Sequence, residues 1–155
     1  MNIQQIMHRS PLRCRATDVL AVPAELMWKN DIGSIPVVDE VNRPIAMITD
    51  RDIAMCTFLT GAVIWRTPVS QAMSKSIVTI EEDASMEDAE ELMRAHSVRR
   101  LPVVDDAGRL MGVISLGDLS RHAAGSAGRA DSVGVARTVA AICAPRNARP
   151  AQATA

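Results

Sequence analysis

The 155-residue chain is long enough for one domain, or for two small ones that share a core. Apolar residues make up 48% of it but aromatic residues only 2%, so the core must be aliphatic and rich in methionine. The net charge of −1 argues against a nucleic-acid-binding surface, and no run of about 18 apolar residues predicts a membrane span. Because the N-terminus lacks an apolar signal-peptide core, we expect a cytoplasmic protein.

The first half of the chain predicts a helix, two strands and a second helix. Residues 20–30 place apolar side chains at helical spacing, and Pro23 is expected to kink this helix or delay its start. Residues 34–39 (SIPVVD) and 45–48 (IAMI) are short apolar runs separated by turn residues, as in paired strands. The second helix is predicted to start at Thr49, because a carboxylate follows three residues later.

The second half repeats this order at an offset of 66 residues, without a gap. Residues 32–53 read IGSIPVVDEVNRPIAMITDRDI, and residues 98–119 read VRRLPVVDDAGRLMGVISLGDL. A short strand is expected before the second helix–strand block, at 78–80 (VTI). One copy of about 55 residues would bury too little surface to fold alone. We therefore expect two copies to pack strand face to strand face around a pseudo-twofold axis, with two equivalent clefts between them.

The last part of the chain changes in character. Val135, Val139 and Ile142 recur at helical spacing and predict a short docking helix that Pro145 ends. The small and polar residues after it are typical of a disordered tail. The predicted division of the chain is 1–64 for the first repeat, 65–124 for the second, and 125–155 for the C-terminal helix and tail.

The repeated block resembles the paired cystathionine-β-synthase (CBS) domain, also called the Bateman module. The most specific match is the pattern Gly-h-h-Thr/Ser-x-x-Asp (h, apolar; x, any residue) where the second strand meets the following helix. The resemblance covers residues 1–124 and implies an α+β fold of two βαββα units, adenine-nucleotide binding in the clefts, and pairing into a flat homodimer. Ala46 stands where the family has the glycine that Gly112 keeps, so its methyl group is expected to crowd one cleft.

Thr49 and Asp52, with Ser115 and Asp118 at the same places in the second copy, form the first candidate site. A carboxylate at a helix start can accept hydrogen bonds from both hydroxyls of a ribose, and the first-turn N–H groups suit an anion. The same spacing is that of a capping box, in which the carboxylate only closes the helix end. The spacing alone favours the cap, and the resemblance favours ribose contact.

Three arginines are candidates for binding a phosphate. Arg51 lies between two aspartates at a helix start, and Arg99 and Arg100 precede a strand where the resemblance implies a basic pair facing the cleft. All three can equally be solvated surface charges. Their counterparts in the other copy are uncharged, so we expect the two clefts to differ.

The resemblance also implies an apolar slot for adenine in each cleft, although the same side chains serve equally well as core. Ile35 and Pro36 are expected to line the slot in one cleft. The slot in the other cleft is expected to be lined by Leu101 and Pro102 and closed by Ile77, Val78 and Thr79.

We therefore expect a stand-alone regulatory module that senses adenine nucleotides (AMP, ADP or ATP) or a ligand similar to S-adenosylmethionine, with no required cofactor. The alternative is a ligand-free dimerisation or protein-interaction module with degenerate clefts. An enzyme is disfavoured, because no nucleophile–base pair and no phosphate-cradling glycine loop is present. The histidines and cysteines lack metal-ligand spacing, so no metal site is expected. Trp28 and Trp65 are expected either at a dimer contact or packed against the neighbouring copy.

Overall fold

The computed structural model describes residues 2–125 and 129–144, with the backbone alone for 129–132, and these residues form two α/β units. The strands are β1 (His8–Arg9), β2 (Cys14–Arg15), β3 (Ser34–Val38), β4 (Pro44–Thr49), β5 (Ile80–Glu81), β6 (Arg100–Val104) and β7 (Leu110–Ser115). The helices are α1 (Ala21–Lys29), α2 (Asp50–Thr60), α3 (Met86–His96), α4 (Leu116–Gly125) and α5 (Arg129–Cys143). The predicted α+β fold of two βαββα repeats is confirmed. The strand expected at 78–80 lies instead at Ile80–Glu81.

The first unit is built on the sheet β2-β3-β4. β2 is parallel to β3, and β3 is antiparallel to β4. Every residue of β3 is buried, whereas β4 alternates between buried and more exposed positions, so β4 turns one face to the core. The β3–β4 turn contains Asn42 at a positive φ of 64°, a conformation that asparagine tolerates better than most residues.

The second unit has the same sheet with one strand more, in the order β1-β7-β6-β5. β1 comes from the N-terminus and pairs antiparallel with β7, placing His8 opposite Val113 and Arg9 opposite Gly112. In the first unit no described residue forms a strand at the corresponding edge, beside β4. There Ser74 N–H donates one backbone hydrogen bond to the Met47 carbonyl at 2.9 Å.

The two units exchange the segments that precede them. Ile3 and Met7 pack in the core of the second unit, and their counterparts at an offset of 66, Val69 and Met73, pack in or against the core of the first. Each unit is therefore completed by chain that lies before the other in sequence. The bounds 1–64 and 65–124 stay a prediction, and the packing crosses them at both segments.

A second link between the units joins the two strand turns. Leu110 N–H donates to the Asn42 carbonyl at 2.8 Å, and the Asn42 amide donates back to the Leu110 carbonyl at 3.1 Å. Arg43 Nε donates to the Ala107 carbonyl at 3.2 Å. These bonds fix one unit against the other at the end of the strands.

Pro23 lies in the first turn of α1, where a missing N–H leaves no helical hydrogen bond unmade. The helix begins at Ala21, one residue later than α3 does when the offset of 66 is applied. The expected delay is thus a single residue.

The C-terminal helix α5 is longer than predicted and packs on α3 and α4. Val135 and Ile142 enter the core of the second unit, as predicted, but Val139 is 37% exposed. Pro145 and the predicted tail lie outside the described residues.

Candidate ligand-binding clefts

The start of α2 is closed by a complete capping box. Asp52 N–H donates to Thr49 Oγ1 at 3.0 Å, while Thr49 N–H and Thr49 Oγ1 donate to Asp52 Oδ2 at 2.9 and 2.7 Å. No described residue donates to Asp52 Oδ1. The capping interpretation of this pair is therefore confirmed, and one carboxylate oxygen is left over.

Ser115 and Asp118 make the same bonds at the start of α4, with one addition. Ser115 N–H and Oγ donate to Asp118 Oδ2 at 2.8 and 2.5 Å, and Asp118 N–H donates to Ser115 Oγ at 3.2 Å. Arg121, one turn further along the helix, donates to the other oxygen, Oδ1. The Asp118 side chain is 19% exposed, and its carboxylate thus joins a helix cap to a cation.

A third capping box shows that the motif alone does not mark a ligand site. Ser85 and Asp88 at the start of α3 exchange the same bonds, at 2.7 to 3.1 Å. These hydrogen bonds from Ser85 hold the pKa of Asp88 below its ordinary value. The Ser85–Asp88 box lines none of the clefts described below. The Asp118 carboxylate therefore differs from that of Asp88 in its surroundings and not in its cap.

Cleft A, a cavity of about 520 Å³, lies between the units beside Asp118. The second unit contributes Val113, Ser115, Asp118 and Arg121 to its wall. The facing wall comes from the first unit and the N-terminal segment, and comprises His8, Ser10, Pro11, Leu12, Asn30, Ile32, Ser34, Ile35 and Pro36. Arg100 in β6 adds to the wall from the second unit. Cleft A therefore combines one carboxylate, two guanidinium groups and an apolar wall.

Ser34 carries a polar atom that the protein leaves unsatisfied. Its side chain lines cleft A and the residue is only 9% exposed, yet Ser34 Oγ has no hydrogen-bond partner within the described chain. A buried hydroxyl without a partner costs free energy, and such groups are rare in folded proteins. An occupant of the cleft with a polar group at this place would satisfy it.

Cleft B is the pseudosymmetric counterpart, with a volume of about 500 Å³. Its wall consists of Met47, Ser74, Ser76, Ile77, Val78, Ala95, His96, Val98 and Arg100, most of which stand 66 residues from a member of cleft A. Arg100 lines both clefts. Among the described wall residues, cleft B contains no carboxylate.

The structure distributes the predicted site residues unequally. Cleft A receives Ser115, Asp118, Arg100, Ile35 and Pro36, and cleft B receives Ile77, Val78 and Arg100. The residues that line neither of these two clefts are Thr49, Arg51, Asp52, Arg99, Thr79, Leu101 and Pro102. Leu101 is fully buried in the core, and Arg51 and Arg99 are exposed. Ligand contact by any of these residues stays a prediction.

Sequence reasoning assigned no role to Ser34, Arg121 or His8. Arg121 was visible as a cation three residues after Asp118 on one helix, a spacing that brings side chains together. Ser34 and His8 gave no such signal, because they come to line the same cavity as Asp118 only through the packing of the two units.

Gly112 serves the packing of β1 and does not open the site. A Cβ at Gly112 would lie 2.5 Å from Met7 Sδ and 2.9 Å from the His8 carbonyl oxygen, so a glycine is needed where β1 crosses β7. Its counterpart Ala46 is fully buried in the core of the first unit. Ala46 lines neither of the two clefts described above, and the crowding of a cleft by its methyl group stays a prediction.

Neither a metal centre nor a membrane helix is found in the part of the chain that the structure describes. No group of three or more His, Cys, Asp or Glu side chains is arranged to hold an ion. None of the described helices is long and apolar enough to cross a bilayer. Trp28 and Trp65 are 88% and 72% exposed, which rules out packing against the neighbouring unit.

Comparison with known proteins agrees with this architecture. The family model described as the CBS domain matches residues 3–56 and again residues 69–125. The chain belongs to the CBS domain family. The CBS domain-containing protein YhcV of Bacillus subtilis (strain 168) is 44% identical over 109 residues, which are 67% of this chain and 76% of YhcV.

Two solved CBS structures show the same fold. The CBS domain pair of protein MJ0100, a complex with 5-methylthioadenosine and S-adenosyl-L-methionine, has a TM-score of 0.71 at 24% identity and covers 81% of this chain and 97% of its own. CBSX2 in complex with AMP has a TM-score of 0.70 at 22% identity, over 80% and 96%.

Proposed function

We propose that this CBS pair is a regulatory module that binds an adenine nucleotide in cleft A. The observation that carries the proposal is the orphaned Ser34 hydroxyl, which faces the same cavity as the Asp118 carboxylate and the Arg100 and Arg121 guanidinium groups. A cavity of about 520 Å³ is within the range of small-molecule sites. Two structures of the same fold are complexes with adenosyl ligands.

The ribose is assigned to Asp118. Its Oδ2 is held by the helix cap, and its Oδ1 is held by Arg121, a largely exposed side chain. A ribose hydroxyl would replace Arg121 at Oδ1 without disturbing the cap. Capping and ribose binding are thus compatible roles for one carboxylate.

The phosphate is assigned to Arg100 and Arg121. Guanidinium groups bind phosphate oxygens through charge-assisted hydrogen bonds. An Arg121 displaced from Asp118 by ribose would be available to such an anion. The two cations favour AMP, ADP or ATP over the positively charged sulfonium of S-adenosylmethionine. The adenine ring would lie against the apolar wall that Leu12, Ile35 and Pro36 form.

Cleft B is the weaker candidate, because its described wall offers one guanidinium group, that of the shared Arg100, and no carboxylate. Thr49, Arg51 and Asp52 stay a predicted second ribose and phosphate site. The homodimer, the cytoplasmic location and the regulated protein partner expected from the sequence belong to the proposal as well.

Thermal melting tests the proposal directly. Ligand at 100 times its Kd adds about 2.7 kcal/mol to the free energy of unfolding, which raises Tm by about 5–10 °C for a chain of this size. We expect such a shift with at least one of AMP, ADP and ATP, and a smaller one with S-adenosylmethionine. Unchanged melting at millimolar nucleotide, with a silent calorimetric titration, would refute ligand binding and leave the interaction-module alternative.

A further inference from the structure

The side chain of Arg100 lies between the two clefts. Arg100 is the first residue of β6, it is half-buried, and it lines both cleft A and cleft B. Among the residues that the structure describes, no other lines both clefts. The guanidinium group is therefore within reach of an occupant of either cleft.

The duplication explains why one arginine serves two clefts. At the offset of 66 Arg100 corresponds to Ser34, and the two residues hold the same place in their sheets, opposite Ser115 in β7 and Thr49 in β4. Because Ser34 lines cleft A, its counterpart belongs to cleft B by the pseudosymmetry. Ser34 is too short to line a second cleft, whereas the long side chain of Arg100 also reaches cleft A.

The protein itself leaves the Arg100 guanidinium group without a partner. Arg94, Arg109 and Arg121 each pair with a carboxylate. Within the described ranges 2–125 and 129–144, no hydrogen bond or ion pair engages the Arg100 side chain. A half-buried cation without a partner favours an anion beside it.

One guanidinium group cannot hold two phosphates in separate clefts equally well. Cleft A has a second cation in Arg121, but on the described wall of cleft B the one guanidinium group is that of Arg100. A phosphate in cleft A that takes Arg100 thus deprives cleft B of its guanidinium group. We propose, on the basis of the function proposed above, that Arg100 makes the two clefts compete for phosphorylated ligands, so that one chain binds one nucleotide tightly and a second one weakly.

This coupling acts in both directions and depends on the charge of the ligand. A phosphate in cleft B weakens phosphate binding in cleft A by the same factor, because coupling between two binding sites is reciprocal. Adenosine has no phosphate and does not engage Arg100, so it binds in one cleft without regard to the other. Cleft B then admits a neutral nucleoside beside a bound nucleotide and disfavours a second nucleotide.

Calorimetric titration of the full chain with AMP measures the coupling. In the wild type the second AMP molecule binds when cleft A is already filled. In His8→Trp the indole fills cleft A, so AMP meets cleft B alone. We expect cleft B to bind AMP about 10-fold more tightly in His8→Trp than in the second step of the wild type, which is the factor for one charge-assisted hydrogen bond. With adenosine this coupling ratio should be about 1, since no phosphate competes for Arg100.

Three further variants serve as matched controls. Arg9→Trp adds the same indole one residue along β1, outside both clefts, and should leave both AMP steps as in the wild type. Arg100→Ser, which installs the residue of the first unit, should lower the coupling ratio for AMP to about 1. Arg99→Ser removes the same charge from an exposed residue that lines neither cleft, and should preserve the ratio.

The possible results separate the coupling from nucleotide binding itself. A second wild-type step too weak to measure, with measurable AMP binding in His8→Trp, would support the coupling. A wild type that binds no AMP would refute nucleotide binding and the coupling with it. AMP binding in the wild type, with none in His8→Trp or with a ratio of about 1, would overturn the coupling and leave cleft A as a nucleotide site. A ratio of about 10 that persists in Arg100→Ser would attribute the coupling to repulsion between phosphates and overturn the role of Arg100.

Discussion

Arg121 donates a hydrogen bond to Asp118 Oδ1, the one carboxylate oxygen that the cap of α4 does not use. The first unit has Met55 at the position of Arg121, and there the matching oxygen of Asp52 accepts no hydrogen bond within the described chain. The two helix starts are therefore alike as caps and different as binding groups.

Arg121→Met, which installs the residue of the first unit, should change selectivity more than affinity for the nucleoside. Without the guanidinium group, AMP should bind about 10-fold more weakly, since a charge-assisted hydrogen bond is lost. Adenosine, which has no phosphate, should bind as well as before or better, because Asp118 Oδ1 is then available. Calorimetric titration with both ligands measures the ratio. An unchanged AMP-to-adenosine ratio would remove Arg121 from the phosphate site.

Asp118→Asn should separate capping from ligand contact. Loss of part of the cap should lower the free energy of unfolding by up to about 1 kcal/mol. Nucleotide affinity should fall about 10- to 100-fold as the charge-assisted bond to ribose weakens.

Asp88→Asn is the matched control for this experiment, since Asp88 forms the same capping box away from both clefts. It should lose stability without losing affinity. Asp52→Asn is expected to resemble the control if cleft A is the principal site. Wild-type nucleotide affinity in Asp118→Asn, Asp88→Asn and Asp52→Asn would show that these carboxylates only cap their helices.

Ser34→Ala should leave the unliganded protein unharmed. The hydroxyl that it removes is buried and unpartnered, so urea unfolding should show a wild-type or slightly higher stability. Nucleotide affinity should drop about 2- to 10-fold through the loss of one hydrogen bond. Ser120→Ala, whose hydroxyl donates within α4 to the Leu116 carbonyl, is the control and should leave affinity unchanged. Full affinity in Ser34→Ala would mean that the ligand does not reach this hydroxyl.

Gly112→Ala should disturb the fold and cleft A together. The added methyl group would meet Met7 and the His8 backbone, so β1 has to move, and overpacking of this kind costs about 1–3 kcal/mol. Because His8 lines cleft A, nucleotide affinity should fall as well. Gly125→Ala, with open space around it, is the control and should be tolerated in both respects. Wild-type stability in Gly112→Ala would contradict the close crossing of β1 and β7.

Glu90 should make the stability depend on pH in an unusual direction. Burial, helped by the charge of Glu87, raises the pKa of Glu90 above its ordinary value of 4.5, although Thr138 and Arg94 oppose the shift. The folded state then holds this proton more tightly than the unfolded state. The contribution of Glu90 to the free energy of unfolding is therefore fully present below pH 4.5. It is lost as the pH rises through the raised pKa.

Glu90→Gln removes that titration while keeping groups that can bond to Thr138. Urea unfolding between about pH 4 and 8 should show the wild type losing stability relative to the variant as the pH rises. A constant difference across this range would mean that the Glu90 pKa is not raised.

The sequence predicted the units well and the cleft only in part. The apolar positions recur at the offset of 66. Their spacing indicates which face of each element is buried, and it predicts the strands, the helices and their order. Asp118 and Ser34 line cleft A from opposite units. No spacing in the sequence indicates that they lie near the same cavity. β1 has only two residues and no periodicity, so its transfer to the second sheet could not be read from the pattern.

The exchange of Ile3 and Val69 between the two cores affects how the chain reaches its fold. During synthesis the first half cannot close its own core until Val69 has left the ribosome, and Ile3 must wait for the second half to find its place. A fragment that ends between the repeats would lack Val69 in the core of the first unit. It would also leave Ile3 without the core of the second unit to pack in. We therefore expect folding to be cooperative across the duplication, because each core needs contacts between residues far apart in sequence, and such contacts slow folding in general.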